Sequence, residues 1–239
     1  MDIRTELIAK AKELEIKVNG AQAEKFQRYL ELLLEWNENI NLTAITDPHE
    51  AVIKHFIDSL TFIKTVQIKN GAKIIDVGTG AGFPGIPIKI MRPDVELTLL
   101  DGLNKRLLFL KEVAKELNFE ASFVHKRAEE AGKIREMREK YDIATARAVA
   151  KMNTLCEYCI PLVKMKGQFV AMKGPGLDDE LIEAENAVEI LGCEIEKKAS
   201  FILPDEEKSE RNIVVLRKYN FTPKEFPRHG NKISKSPIM

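Results

Sequence analysis

The hydrophobic pattern of the chain changes near residue 71. Before that point, apolar residues recur every three or four positions, which predicts helices. The residues with this spacing are Leu30, Leu33, Leu34 and Ile40 in a first face, then Ala51, Ile53, Phe56, Leu60 and Ile63 in a second. A polar break at 37–41 separates the faces, and Asp47-Pro48 predicts the start of the second helix, with Asp47 as N-cap. Residues 1–70 are therefore expected to form a helical cap.

Short apolar runs alternate with amphipathic stretches between residues 71 and 218. The predicted strands are 74–77, 95–100, 121–124, 143–146, 168–172 and 213–216, and helical patterns such as 105–117 and 181–191 lie between most of them. Uninterrupted apolar runs are typical of strands buried on both faces, and strand–helix alternation is typical of a parallel sheet. We therefore expect a doubly wound α/β domain over 71–218. Three prolines in the last twenty residues predict an extended arm over 219–239.

Composition limits the class of protein without deciding its function. With 239 residues, 44% of them hydrophobic and 31% charged, the chain can bury a full core. No apolar run approaches the roughly 18 residues of a membrane helix, and the first residues lack a signal-peptide pattern. Three cysteines argue against a disulfide scaffold. We therefore expect a cytoplasmic protein with no membrane partner.

Charge is distributed unevenly although the formal net charge is zero. Residues 178–210 contain twelve acidic residues and three lysines, a net of −9, whereas residues 211–239 contain seven Lys and Arg and one acid, a net of +6. A local basic surface is what a phosphate backbone requires, and the alternative is a solubilising tail. The cations that we expect to position RNA through its phosphates are Arg217, Lys218, Arg228, Lys232 and Lys235.

A glycine-rich turn follows the first predicted strand. Gly78, Gly80 and Gly82 let the backbone approach a ligand closely. The G-x-G-x-x-G spacing that starts at Gly80 also fits a dinucleotide, so a nicotinamide oxidoreductase is one alternative. Asp76 argues against it, because a carboxylate before the first glycine repels a pyrophosphate and suits a ligand with a sulfonium and an ammonium. Pro84 would also remove an amide donor from a phosphate cradle.

Acidic residues follow the next two predicted strands as well. Asp101 ends the second strand at a position that suits a ribose diol, and Glu129 comes soon after the third strand, where it can meet an adenine. Because the carboxyl ends of parallel strands lie at one edge of a sheet, these acids and Asp76 predict a single ligand site.

Several segments together resemble one family of enzymes. They are 30–37, 40–43, 55–60, 76–87, 104–106 with 109–110, 145–150, 173–174, 217–218 and 226–228. The combination is similar to the glucose-inhibited division protein B family of bacterial methyltransferases, from about residue 28 to the C-terminus. The resemblance implies a class I methyltransferase fold, which is α/β with a doubly wound, mostly parallel seven-stranded sheet, here with an N-terminal helical cap.

The resemblance also implies a function. The cofactor would be S-adenosyl-L-methionine, and the reaction would be methylation of N7 of a guanine in the conserved 530 loop of 16S ribosomal RNA, as naked RNA or in the small ribosomal subunit. The residues that it places against the cofactor are Gly78, Phe83, Ala128, Glu129 and Arg147. Other substrates stay open, namely another RNA, a small molecule or a protein, as does a non-catalytic RNA-binding assembly factor.

The segment after the fourth predicted strand bears on the chemistry. Enzymes that methylate an exocyclic amine typically carry Asn/Asp-Pro-Pro-aromatic there, whereas this chain has Thr145-Ala146-Arg147-Ala148. Guanine N7 has a lone pair and no proton, so it needs no general base, and catalysis would consist of orientation. Arg147 is expected to bind the cofactor carboxylate or guanine O6. The alternative is a salt bridge to Asp142 or to an acid on a helix.

Two further groups favour structural roles. Cys156 and Cys159 form a C-x-x-C without a second pair, which favours packing in a helix over metal binding, and no metal is expected. His55, Asp58 and Ser59 contain the residue types of a hydrolase triad. Their spacing on one helix favours a hydrogen-bonding cluster between the cap and the sheet.

Three more cations are RNA-binding candidates. Lys105 and Arg106 either reach RNA or form a solvated helix face, and Lys173 follows the fifth predicted strand. The protein is expected to act as a monomer.

Overall fold

A seven-stranded sheet lies at the centre of the molecule. The computed structural model describes residues 2–239, and its strands are β1 Lys73–Val77, β2 Glu96–Asp101, β3 Ser122–His125, β4 Tyr141–Arg147, β5 Val163–Lys173, β6 Cys193–Ile202 and β7 Glu210–Lys218. They lie in the order β3-β2-β1-β4-β5-β7-β6. Strands β1 to β5 are parallel, and β7 is antiparallel to both β5 and β6. The predicted α/β class and mostly parallel sheet are confirmed.

Helices cover both faces of this sheet. They are α1 Ile3–Glu13, α2 Gly20–Asn37, α3 Pro48–Ala51, α4 Asp58–Thr65, α5 Gly85–Met91, α6 Asn104–Glu116, α7 Ala128–Ala131, α8 Met152–Cys159, α9 Leu177–Ile190 and α10 Gly230–Lys235. One core lies between the sheet and α1 to α6, and a second lies between the sheet and α7 to α9. Within residues 2–239, no helix has the length and apolar character needed to cross a membrane.

The helical cap carries side chains to the sheet. Asp47 caps α3 as predicted, because its Oδ1 accepts a hydrogen bond of 2.8 Å from the backbone amide of Glu50. A π-helical segment, Val52–Ile57, joins α3 to α4. Such wide turns are frequent at functional sites, and this one carries His55 toward the end of β4.

Strand β6 is the one strand that the hydrophobic pattern does not predict. It forms an edge of the sheet, and most of its side chains are exposed. Charged residues such as Glu194 and Lys198 prevent an edge strand from pairing with other chains, but they also remove the apolar run that would reveal it. Since β6 reverses the chain, β7 runs opposite to β5. Asn212 therefore pairs with Lys173 at the carboxyl edge of the parallel strands, and Arg217 lies at the other edge.

The C-terminal segment folds back on the sheet domain, so the expectation of an extended arm is wrong. The guanidinium of Arg138 donates to the carbonyl of Thr222 over 2.8 Å and to that of Phe226 over 2.6 Å. The side chains of Ile233 and Ile238 are buried. Hydrogen-bonded carbonyls hold the beginning of the segment on the domain, and buried apolar side chains hold its end.

Candidate functional site

Two cavities lie at the carboxyl edge of the parallel strands, where ligands of open α/β sheets bind. The turn cavity, of about 540 Å³, lies over the glycine turn and includes Gly78, Asp101, Arg106, Ala128, Glu129, Val149 and Tyr158. The cap cavity, of about 340 Å³, lies between the helical cap and the end of β4 and includes Lys54, His55, Asp58, Arg147, Lys173 and Arg211. Ala148 lines both cavities, so one short segment after β4 separates them.

Gly78 is the glycine of the turn that faces the turn cavity. Its φ is +68°, and a Cβ added there would lie 2.8 Å from Cγ2 of Val149, which lines the same cavity. Gly82 serves packing instead, since a Cβ there would lie 2.7 Å from the hydroxyl of Tyr29 in the cap. At Gly80 the nearest atom would be 4.0 Å away. The three glycines look alike in the sequence, but the structure gives them different surroundings.

Asp76 lies beneath the turn and lines neither cavity. Its Oδ2 accepts hydrogen bonds from the amide of Gly85 at 2.9 Å and from the hydroxyl of Thr79 at 2.7 Å. The side chain is fully buried, and burial raises the pKa of this carboxyl to about 6. Asp76 therefore braces the turn, and its other oxygen is buried with no hydrogen-bond partner in the described chain. Direct contact with a ligand stays a prediction.

Asp101 and Arg106 form a pair on the wall of the turn cavity. Oδ2 of Asp101 accepts from the amide of Gly80 at 2.9 Å and lies 3.3 Å from Nη1 of Arg106. Nε of Arg106 is buried and has no partner within residues 2–239. Arg106 thus lies on the cavity wall, paired with Asp101, and its contact with RNA stays a prediction.

Ala128 and Glu129 begin α7 and line the turn cavity. The C-terminal segment adds His229, Gly230 and Asn231 to this lining. Sequence reasoning missed these three residues because they follow the last strand in a segment expected to extend into solvent. Only the tertiary fold brings them to Glu129.

Arg147 ends β4, lines the cap cavity and contacts both the helical cap and Phe83. Its Nη1 lies 2.9 Å from Oδ2 of Asp58 and donates to the carbonyl of Lys54 over 3.2 Å. Its guanidinium carbon lies 4.9 Å from the ring centroid of Phe83, which is a cation–π distance. Arg147 thus pairs with an acid on a helix, one of the two partners considered as an alternative to a ligand. The other, Asp142, lies at the opposite edge of the sheet.

His55 supports Arg147 from the cap. Its Nδ1 lies 3.4 Å from Nη2 of Arg147, its Nε2 lies 2.8 Å from Oγ1 of Thr43, and its ring stacks on Phe83 at 4.6 Å. Burial, with a smaller contribution from Arg147, lowers the pKa of His55 to about 3. The imidazole is therefore neutral at physiological pH, with Nδ1 as acceptor and Nε2 as donor to Thr43. The predicted cap-to-sheet cluster is confirmed.

Phe83 and Ala148 shape the boundary between the cavities. The ring of Phe83 is buried against Tyr29 and His55, and the residue lines neither cavity, so its contact with the cofactor stays a prediction. Ala148 has a φ of +56°, a region that residues with a Cβ rarely adopt. Such a conformation costs about 1 kcal/mol and is held here by the ends of β4 and α8. Strained backbone of this kind is typical of functional sites.

Three of the cations predicted to contact phosphate are occupied elsewhere. Lys218 is completely buried, and its Nζ lies 2.8 Å from Oε1 of Glu139, so its prediction is wrong. Arg217 lies at the amino edge of the parallel strands, away from both cavities, and pairs with Glu196. Arg228 is held by Glu157 on α8. Burial thus corrects the prediction for Lys218, whereas contact of Arg217 and Arg228 with RNA stays a prediction.

The remaining cations differ in their availability. Lys173 lines the cap cavity, but its Nζ is held by the carbonyl of Ala150 at 2.9 Å and by Glu180 at 2.7 Å. Lys105, Lys232 and Lys235 are exposed, and their contact with RNA stays a prediction. Arg211 was not singled out from the sequence. As the first residue of the basic C-terminal stretch it carried a signal, but only the direction of β7 places it in the cap cavity.

The cysteine pair lies in the core. Cys156 and Cys159 are free thiols on α8, and burial raises the pKa of both well above the ordinary range. Among residues 2–239, no group of three His, Cys, Asp or Glu side chains is arranged to hold a metal ion. The two cysteines pack against the second core, as their helical context predicts.

Comparison with known proteins shows that the sequence is similar to one group of enzymes. A family model described as rRNA small subunit methyltransferase G, GidB, matches residues 22–213. The chain is similar to the Ribosomal RNA small subunit methyltransferase G of Desulforamulus reducens, with 47% identity over 238 residues that cover 99% of each chain. The protein of the same name from Alkaliphilus oremlandii is 46% identical over 239 residues, 100% of each chain.

A solved structure shows a related fold at low sequence identity. The SAM-dependent O-methyltransferase from Thermotoga maritima matches with a TM-score of 0.51 and 14% identity, over 79% of this chain and 71% of that one. At this identity the likeness concerns the fold alone.

Proposed function

Because the chain belongs to the GidB family of rRNA small subunit methyltransferases, we propose that its turn cavity binds S-adenosylmethionine and its cap cavity receives the target guanine. The protein is an S-adenosylmethionine-dependent methyltransferase of small-subunit ribosomal RNA. The family function is methylation of guanine N7 in the 530 loop of 16S ribosomal RNA. In this proposal the turn cavity holds the methyl donor and the cap cavity holds the methyl acceptor.

The residues of the turn cavity fit the cofactor. Gly78 leaves the space that a side chain would fill, and Asp101 stands at the end of β2, where a ribose diol can be bound. The buried Nε of Arg106 is a donor without a partner in the described chain. Because buried donors are normally hydrogen-bonded, this atom supports a polar ligand at the cavity wall. Glu129 lines the same cavity, where it can meet the adenine. When bound, the cofactor supplies an electrophilic methyl group on a positively charged sulfur.

The shared wall at Ala148 is the observation that carries the proposal. Because this residue borders both cavities, a ligand in the turn cavity and a base in the cap cavity approach each other across one short segment. Arg147 precedes it and lies at the boundary, with its guanidinium held by Asp58 and His55. A fixed, planar donor at that point can orient the cofactor carboxylate or guanine O6. Such orientation is what a transfer to an already nucleophilic atom requires.

Guanine N7 does not need a general base, because its lone pair attacks the methyl carbon directly and no proton leaves the ring. His55 is the candidate base by residue type, but its low pKa makes it a weak base and hydrogen bonds engage both of its ring nitrogens. Asp58 is paired through Oδ2 with Arg147 and with Arg211, and its Oδ1 is buried with no hydrogen-bond partner in the described chain. In this proposal neither residue has to accept a proton.

The charge of the cap cavity suits a nucleic acid. Its lining includes four cations, Lys54, Arg147, Lys173 and Arg211, and one carboxylate, Asp58. Lys54 also pairs with Glu50 and Glu207, and Lys173 with Glu180, outside this lining. Exposed Lys105, Lys232 and Lys235 extend the positive surface in this proposal. We further propose that the enzyme acts in the cytoplasm, because its substrate is ribosomal RNA. We propose that it acts as a monomer, because one chain builds both cavities.

The test is in vitro methylation of 16S ribosomal RNA from a strain that lacks the gene. Purified protein should transfer one methyl group from S-adenosylmethionine to a single guanine, and mass spectrometry of nuclease fragments should identify the product as 7-methylguanosine. Naked RNA and intact small subunits should be compared as substrates. A methyl group on an exocyclic amine, or no transfer to either substrate, would refute the assignment.

A further inference from the structure

The C-terminal segment forms one wall of the turn cavity. His229, Gly230 and Asn231, called here the C-terminal wall, line it together with Gly78 and Asp101. The wall contacts the side chain of Glu129 so closely that a Cβ added at Gly230 would lie 2.0 Å from its Oε1. A tail that merely shields a hydrophobic surface has no need to border a ligand cavity.

A buried ion pair fixes the residue immediately before this wall. The backbone amide of Arg228 donates to Oε1 of Glu157 at 2.6 Å, and its guanidinium donates through Nε at 3.0 Å and through Nη2 to Oε2 at 2.6 Å. The side chain of Glu157 is 1% exposed and that of Arg228 is 17% exposed. Bidentate pairing with an added backbone contact leaves Arg228 little freedom. Glu157 also precedes Tyr158, which lines the same cavity. The same turn of α8 therefore contributes one lining residue, Tyr158, and anchors the C-terminal wall through Glu157.

The chain on either side of Arg228 is also fixed. Pro227 packs on Gly132, where an added Cβ would lie 2.9 Å from its ring, and Ile233 is completely buried. The pair formed by Glu157 and Arg228 holds the residue next to the wall, and the guanidinium of Arg138 holds the carbonyl of Phe226 two residues before it. Removing one partner of the ion pair leaves the other charge buried and unpaired, which favours movement of the segment.

We propose that Glu157 and Arg228 are positioning residues for the cofactor site. They hold the C-terminal wall against the adenosine half of S-adenosylmethionine, next to Glu129. The C-terminal segment therefore sets the affinity for the cofactor, and Arg228 acts through the wall without touching RNA. This inference rests on the proposed binding of S-adenosylmethionine in the turn cavity.

The test compares steady-state kinetics of the full-length enzyme with those of three variants. Arg228→Ala removes the anchor, Arg228→Lys keeps one charge contact, and Gly230→Ala crowds the wall while it leaves the ion pair intact. For Arg228→Ala and Gly230→Ala, the KM for S-adenosylmethionine should rise at least tenfold. At saturating cofactor, kcat and the KM for RNA should stay within threefold of wild type. Arg228→Lys should fall between wild type and Arg228→Ala. Lys224→Ala, which removes an exposed cation of the same segment, is the matched control and should leave the cofactor KM unchanged.

The outcomes separate this inference from the proposed function. If wild-type protein fails to bind S-adenosylmethionine in calorimetry, the proposed function fails. If wild type binds but Gly230→Ala and Arg228→Ala keep a cofactor KM within twofold of it, the positioning role is refuted. A rise in the KM for RNA alone would also refute it, because the segment would then contact the substrate. Arg228→Lys keeps one charge contact with Glu157, so it tests the anchor even if Arg228→Ala does not fold, and an unchanged cofactor KM in Arg228→Lys would then refute the positioning role.

Discussion

Nη1 of Arg147 lies 2.9 Å from Oδ2 of Asp58, and this ion pair joins the sheet to the helical cap. Both side chains are largely shielded from solvent, with 14% of Arg147 and 6% of Asp58 exposed. The same oxygen of Asp58 lies 3.4 Å from Nε of Arg211 on β7. One carboxylate of the cap thus determines where two cations of the cap cavity are placed.

Loss of that carboxylate should destabilise the protein. We expect Asp58→Ala to lower the free energy of unfolding by about 3 kcal/mol, because it leaves two partly buried guanidiniums unpaired. Glu207→Ala is the control. It removes a 72% exposed partner of Lys54 and should change stability by no more than about 0.5 kcal/mol. Denaturant unfolding measures both, and equal effects would mean that Asp58 is not a structural link.

Arg147 should be irreplaceable by lysine. Lysine cannot contact Asp58 and His55 at once or present a planar fork to a ligand. Arg147→Lys should therefore slow single-turnover methylation at least tenfold, a loss of about 1.4 kcal/mol. Lys164→Ala, which removes a cation paired with Asp142 at the other edge of the sheet, should keep the wild-type rate. A full-rate Arg147→Ala enzyme would remove this residue from the site.

Gly78 should be required for cofactor binding. In Gly78→Ala the new methyl group meets Val149 in the turn cavity, so the dissociation constant for S-adenosylmethionine should rise at least tenfold in calorimetry. Gly71→Ala is matched for backbone strain, since Gly71 has a φ of +65° against +68° for Gly78 and has nothing within 4 Å of an added Cβ. It should leave the constant within twofold. Equal losses in the two variants would point to strain, not space.

The rate of methyl transfer should change little near neutral pH. His55, with a pKa of about 3, and Asp76, with a pKa of about 6, both titrate below this range. Guanine N7 has no proton to lose. The single-turnover rate should therefore be nearly flat from about pH 6.5 to 8.5 and should fall below about pH 6 as Asp76 gains a proton and its bonds to the turn weaken. A tenfold increase per pH unit across the flat range would exclude guanine N7 as the target atom.

Acid should destabilise the protein through His55. Its pKa is about 3 in the folded chain against an ordinary 6.5, so the unfolded chain binds the proton more readily. The stabilising contribution of neutral His55 is present above pH 6.5 and is lost as the pH falls toward 3. Wild type should therefore lose more unfolding free energy between pH 7 and pH 4 than His55→Gln does. His125→Gln, at an exposed position on β3, is the control and should follow wild type.

Local patterns were sufficient for the elements that build the turn cavity. Buried parallel strands are continuous apolar runs, so β1 and β2 are visible in the sequence together with the residues that end them, Asp76 and Asp101. The glycine turn is visible because positive φ and close backbone approach require glycine. These signals depend on neighbouring residues only, and the predicted fold class follows from their order.

Tertiary structure decided the direction of β7 and therefore where the basic residues of that strand lie. The charged edge strand β6 has no apolar run, so the sequence does not reveal that the chain reverses before β7. Reversal places Arg211 in the cap cavity and Arg217 at the far edge. The positive charge of the C-terminal stretch was evident from the sequence, but charge alone does not specify which partner a cation meets.

The sequence by itself determined the fold class, the position of the glycine turn and the family. Only the tertiary structure paired Arg147 with Asp58, buried Lys218 and carried the C-terminal wall to Glu129. The physical reason is range. Helix and strand periodicity, caps and turns are set by contacts a few residues apart, whereas ion pairs and cavity walls join residues tens of positions apart, whose approach depends on how all the elements pack.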